Sequence, residues 1–129
     1  MKENNVSDWL AYAKGDLRFA EWGLKDSEPS YHSICFLCQS SAEKFLKAIL
    51  LANQATLKRT HDLVYLGNQI TTFLPGIINL VDDLAFLNGF IEESRYPGDI
   101  SIEYFTKEIA QKAISCANNV KEFTLGSIN

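Results

Sequence analysis

The stretch SYHSICFLCQSSAEKFLKAILLAN, residues 30–53, decides the fold. Its residues Tyr31, Ile34, Cys35, Cys38, Ala42, Phe45, Ile49 and Ala52 recur at three- and four-residue steps, the spacing that lines one face of an α-helix. A helix this long with such an apolar face needs other helices to cover it, so it is predicted to be the central helix of a bundle. Beside that face runs a second line at helical spacing, His32, Phe36, Gln39, Glu43 and Lys47, which mixes aromatic and polar groups. Glu43 precedes Lys47 by four residues, the favourable order for an ion pair worth ~0.2–0.5 kcal/mol when exposed, and a surface pair is the simplest expectation.

Working outward, a first helix is predicted from about Asp8 to Lys25, with Ser7 as its N-cap and Trp9, Ala13, Leu17, Ala20 and Leu24 facing the core. Lys14, Arg18, Glu21 and Lys25 form its solvated stripe, while Tyr12, Phe19 and Trp22 make a third line that a two-faced helix does not need. Such surplus aromatic surface suits a wide core face or a subunit contact. After residue 53, Thr60 is the expected N-cap of a shorter helix with Leu63, Leu66, Ile70 and Phe73 inward, broken by Pro75-Gly76. A fourth helix with Ile77, Leu80, Val81, Leu84, Leu87 and Ile91 inward is expected to stop near Ser94, because Pro97 turns Tyr96 away from the α region. The last, from about Ile102 to Phe123, buries Ile109, Ala110, Ala113, Ala117, Val120 and Phe123, with Gly126 as a stop signal. Nothing alternates long enough for a strand. The fold class is therefore all-α, an up-and-down bundle of about five helices, four long and one short, in one domain over residues 1–129.

The net charge is −4 and the pI about 5.1, which argues against a general polyanion-binding surface; any nucleic-acid contact has to be local. No apolar run is long enough to cross a bilayer, and residues 1–5 lead into no signal-peptide core, so a cytoplasmic location is expected. Three cysteines, Cys35, Cys38 and Cys116, suggest reduced thiols rather than a disulfide framework. Cys35 and Cys38 match C-x-x-C, but they share an apolar helix face, and packing outweighs a zinc site that would borrow His32. Neither a metal nor a cofactor is expected, and no Gly-rich phosphate loop or Ser-His-Asp arrangement can be defended.

QSSAEKFLKAIL at residues 39–50, THDL at 60–63 and RYP at 95–97 resemble, in this order, the recurring signatures of the HEPN (higher eukaryotes and prokaryotes nucleotide-binding) domain family. The run from Ala13 to Leu17, with Ala20 beyond it, fits too, so the resemblance spans nearly the whole chain. It implies an up-and-down helical bundle, frequent homodimers, and in prokaryotes an association with a minimal nucleotidyltransferase as a toxin–antitoxin pair. Many family members are ribonucleases with an Arg separated from a His by four to six intervening residues. This chain departs from that pattern: His32 has Lys25 at the corresponding distance, and His61 has only Arg59 close upstream.

Metal-independent RNA cleavage needs a group to take the 2′-hydroxyl proton and a cation for the phosphate, roles that suit His61 and Arg95. Binding asks less: Lys47, Lys58, Arg59 or Arg95 for phosphate and Tyr96 or Phe36 for stacking. The leading expectation is a nucleotide- or RNA-binding module whose ligand meets His61, Asp62, Arg95, Tyr96 and Lys47, the first four converging at one end of the bundle. The alternatives are a ribonuclease using His61 and Arg95, and a non-catalytic structural partner of a nucleotidyltransferase. In the bland account His61 caps or orients its helix start and Arg95 pairs with Asp62 or Asp99. A homodimer near Tyr12, Phe19, Trp22 or Phe36 is expected from the aromatic excess.

Overall fold

Asn5, rather than Ser7, starts the first helix: its side chain accepts from the Asp8 backbone N–H at 2.9 Å, and the Asp8 carboxylate returns to the Asn5 N–H, a capping box. An acidic residue three places after the cap satisfies the reciprocal bond, which Leu10, three places after Ser7, cannot. The computed structural model describes residues 5–91 and 100–128. Among them lie helices α1 (Val6–Gly23), α2 (Tyr31–Ala52), α3 (Leu63–Thr71), α4 (Val81–Asn88) and α5 (Lys107–Ser127), with 3-10 segments at Pro75–Leu80 and Ile102–Tyr104, and no strand.

Helix α2 is the axis of the bundle. From Ser41 to Leu50 only Lys44 escapes burial, because α1, α3, α4 and α5 all pack on it. Phe45, Leu46, Ile49 and Leu50 are fully buried there with Leu17, Leu63, Leu66, Ile70, Leu87 and Val120 from the other helices. Each such side chain contributes roughly 1.5–3 kcal/mol on leaving water, so this layer dominates stability. Helices α1 and α2 run antiparallel, as the short connection over residues 24–30 requires. The Ser41 hydroxyl donates to the Ala13 carbonyl at 2.7 Å, and Lys44 and Ser40 both bond the Asp16 carboxylate, at 2.6 and 2.9 Å. At the far end of α2, Gln54 takes φ 60° and the Ala55 N–H reaches back to the Leu50 carbonyl, a Schellman stop made without glycine.

Elsewhere the boundaries move for local reasons. Asp62, not Thr60, caps α3, accepting from the Val64 and Tyr65 N–H groups; the Thr60 hydroxyl instead accepts from the Asp62 N–H. Pro75 opens a 3-10 turn before α4 rather than α4 itself, and α4 ends at Asn88 before Gly89, a poor helix former. The expected stop near Ser94 thus comes earlier, and Ser94 itself lies outside the described residues. Val81, expected inward, is exposed, since the buried line runs Ile77, Leu80, Leu84 and Leu87, and Val81 falls on its flank. Helix α5 begins at the Thr106 cap and runs through Gly126 to Ser127, so that glycine is no stop. A close approach does require Gly67: a Cβ there would lie 2.8 Å from the Leu84 side chain, where α3 crosses α4.

Candidate site at the start of the third helix

The polar line of α2 lies beneath the loop that leads into α3. The Gln39 side-chain amide donates to the His61 backbone carbonyl at 3.0 Å and pins that loop to α2. One helical turn on, Glu43 Oε1 lies 2.8 Å from His61 Nδ1, and Glu43 Oε2 accepts from Lys47 Nζ, also at 2.8 Å. Lys47 Nζ in turn sits 5.8 Å from the centre of the Trp9 ring on α1. Glu43 and Lys47 are each only 8% exposed, which overturns the expectation of a surface pair. The reason is topological: the edge of α2's apolar face is covered by the first turns of α1 on one side and the residue 60–62 loop on the other.

Two charges removed from water cost several kcal/mol each, and their attraction offsets this only when every lone pair and proton finds a partner. Both Glu43 oxygens are engaged, one by Lys47 and the other by His61, while the Gln39 amide stands at 3.5 Å. An ionised carboxylate only accepts hydrogen bonds, so Nδ1 of His61 carries a proton and Nε2 is the basic nitrogen of the neutral ring. The His61 side chain is 54% exposed. A solvent-open imidazole is thus oriented by a buried carboxylate, itself charge-balanced by a buried ammonium.

Of the predicted site residues, the structure brings His61, Asp62 and Lys47 to one region of the bundle. Lys47 is engaged by Glu43 and Trp9, and Asp62 by the N-terminus of α3 and by Asn88 Nδ2 at 3.1 Å. Capping of α3 falls to Asp62, so His61 does not perform it. Lys58 and Arg59 are exposed just upstream. Phe36 is half-buried, edge-on to His32 at 4.8 Å. Arg95 and Tyr96, with Pro97 and Asp99, lie outside the described residues. Asn88, the last residue of α4, accepts from the Leu63 N–H at 2.8 Å, so the chain leaves α4 beside the α3 start. Glu43, Gln39, Trp9 and Asn88 were not anticipated as members of this site. The signal for the first two was present, because polar residues recurred in register with the buried face of α2.

Cys35 and Cys38 are fully buried, and burial pushes the Cys35 thiol up to about 12 and Cys38 upward as well. Cys116 is held up to about 12 by burial and by the neighbouring Asp83 carboxylate. All three remain protonated thiols at neutral pH. His32 packs its ring against Phe36 and Phe105, and among the described residues no three His, Cys, Asp or Glu side chains are grouped as metal ligands would be. No described helix is long and apolar enough to cross a membrane.

Two solved structures share this fold. The archaeal HEPN homologue ST0689 is 27% identical with a TM-score of 0.80, and TT1696 from Thermus thermophilus is 25% identical with a TM-score of 0.87. Each comparison covers 98% of this chain and 100% of the other. No curated protein matches the chain. The model of the HEPN domain matches residues 6–128, from the first turn of α1 to the end of α5, and the chain belongs to the HEPN domain family.

Proposed function

We propose that this chain is a HEPN-type module that binds a nucleotide or RNA at the start of α3, acts as a homodimer, and works beside a minimal nucleotidyltransferase as one half of a prokaryotic toxin–antitoxin pair. The observation that carries the binding part is the 2.8 Å contact between buried Glu43 and solvent-open His61. A buried carboxylate aimed at an exposed ring is an expensive way to hold a loop that Gln39 and Asp62 already hold, whereas it is what a ligand-facing histidine needs. Lys58 and Arg59 add positive charge upstream in the sequence. In this reading Arg95, seven residues past Asn88, supplies a guanidinium for phosphate, and Tyr96 a face for a base. Few phosphates are engaged, in keeping with a chain of net charge −4.

Titration of ATP and of a short single-stranded RNA into the wild type and His61→Ala tests this. At least one of the two is expected to bind the wild type and to lose roughly tenfold or more in affinity with His61→Ala, at unchanged helical content. Equal binding by both proteins, or binding of neither probe by the wild type, removes the proposal. The Glu43–His61 contact also favours a second reading, a metal-independent ribonuclease: Nε2 would take the 2′-hydroxyl proton as the 2′-oxygen bonds to phosphorus, Glu43 would stabilise the resulting imidazolium, Arg95 would meet the phosphate, and the P–O5′ bond would break with the 5′-oxygen protonated by water to leave a 2′,3′-cyclic phosphate. RNA cleavage in the presence of a chelator, lost in both His61→Ala and Arg95→Ala, distinguishes it. Absence of binding and cleavage together leaves the chain as a structural partner of the nucleotidyltransferase.

A further inference from the structure

The outer face of α1 carries Tyr12, Gly15, Phe19 and Trp22 at steps of three, four and three, the spacing of a helix–helix seam. The three aromatics are 61%, 66% and 73% exposed. Gly15 sits in the middle of the same stripe, where a helix-interior glycine costs about 1 kcal/mol relative to alanine. Among the described residues nothing accounts for that cost, because a Cβ built at Gly15 meets none of their atoms within 4 Å. Gly67 is the contrast: there the neighbouring α4 leaves no room for a side chain. Gly15, Arg18, Phe19 and Trp22 line a groove of about 250 Å³ that opens to solvent.

We propose that a second copy of this chain occupies that groove, the two α1 helices crossing antiparallel with Trp22 of each protomer seated over Gly15 of the other. The inference rests on the dimer in the reading above and on nothing about the ligand. The stripe holds its own complement, a socket at Gly15 and aromatic knobs one and two turns away, which is what an isologous two-fold contact requires. The axis then passes α1 near Arg18. The two Arg18 guanidiniums approach each other at that axis, with Glu21 three residues on in the same helix to offset them, and the flanking charges as a whole, Lys14, Arg18 and Lys25 against Glu21 and Asp26, carry both signs rather than one repelling field. With aromatics burying roughly 150–250 Å² each, three per protomer at this exposure remove on the order of 1,000 Å² in total. That lies just below the usual range of specific interfaces, the size of a weak or transient contact.

Sedimentation velocity on the full chain tests the interface with Gly15→Leu, which fills the socket, and Phe19→Ser, which removes a knob without touching the core. The wild type is expected to dimerise, and each variant to weaken the dimer by roughly thirtyfold or more, with unchanged circular dichroism. A dimer that persists in both variants overturns this interface while the dimer itself stands on another face. A wild type that stays monomeric at roughly 100 µM overturns the interface and the dimer together. In both cases the ligand site at His61 is untouched, and the binding experiment above reads it separately.

Discussion

The outward stripe of α1 and the polar edge of α2 invert the usual order of a helical bundle. On α1, Tyr12, Phe19 and Trp22 stand in water; on α2, Glu43 and Lys47 are buried. The inversions differ in what completes them. Glu43 and Lys47 find their partners inside the protomer, in each other, His61 and Trp9, so they define a rigid local constellation. Among the described residues the α1 stripe has little to cover it beyond Lys44 near the Tyr12 ring at 5.9 Å, which is why the proposed contact is placed there. A polar group inside points to chemistry at a site; an apolar group outside points to a contact.

The comparison breaks most visibly on the buried side. Glu43→Ala leaves the Lys47 ammonium buried without its carboxylate, and a loss of about 3–5 kcal/mol in urea unfolding is expected. Replacing both partners by apolar residues, Glu43→Leu with Lys47→Met, is expected to recover most of that stability while leaving His61 unanchored. Should Glu43→Ala alone cost less than about 1 kcal/mol, the pair is an incidental ion pair and the site loses its foundation. On the exposed side, Trp22→Ser is expected to change protomer stability by less than about 0.5 kcal/mol when unfolding is followed below the dimerisation range. A larger loss places Trp22 in the protomer's own core.

Much of the fold could be read from spacing. The stripe through Ile34, Cys38, Phe45 and Ile49 identified the central helix, and Ala13, Leu17 and Ala20 identified the face that covers it. What spacing could not reveal was which of two nearby polar residues closes a helix end. Asn5 against Ser7 and Asp62 against Thr60 are decided by whether the residue three places on can reciprocate and by what the neighbouring helix offers, such as Asn88. The site was visible in half. His61 stood out as one of two histidines, but Glu43 and Lys47, four residues apart on one helix, read as a surface pair because local order carries no information about the loop folded over them. Their partners lie 18 residues away in the chain for Glu43, and on α1 for Lys47.

The central claim is that Glu43 fixes the protonation geometry of His61, and nitrogen-detected NMR of the imidazole ring reads this directly. At a pH where His61 is neutral, the wild type is expected to show Nδ1 protonated and Nε2 bare, and Glu43→Gln is expected to relax toward a mixture of tautomers. A wild-type ring protonated mainly at Nε2, or a tautomer indifferent to Glu43→Gln, would contradict it.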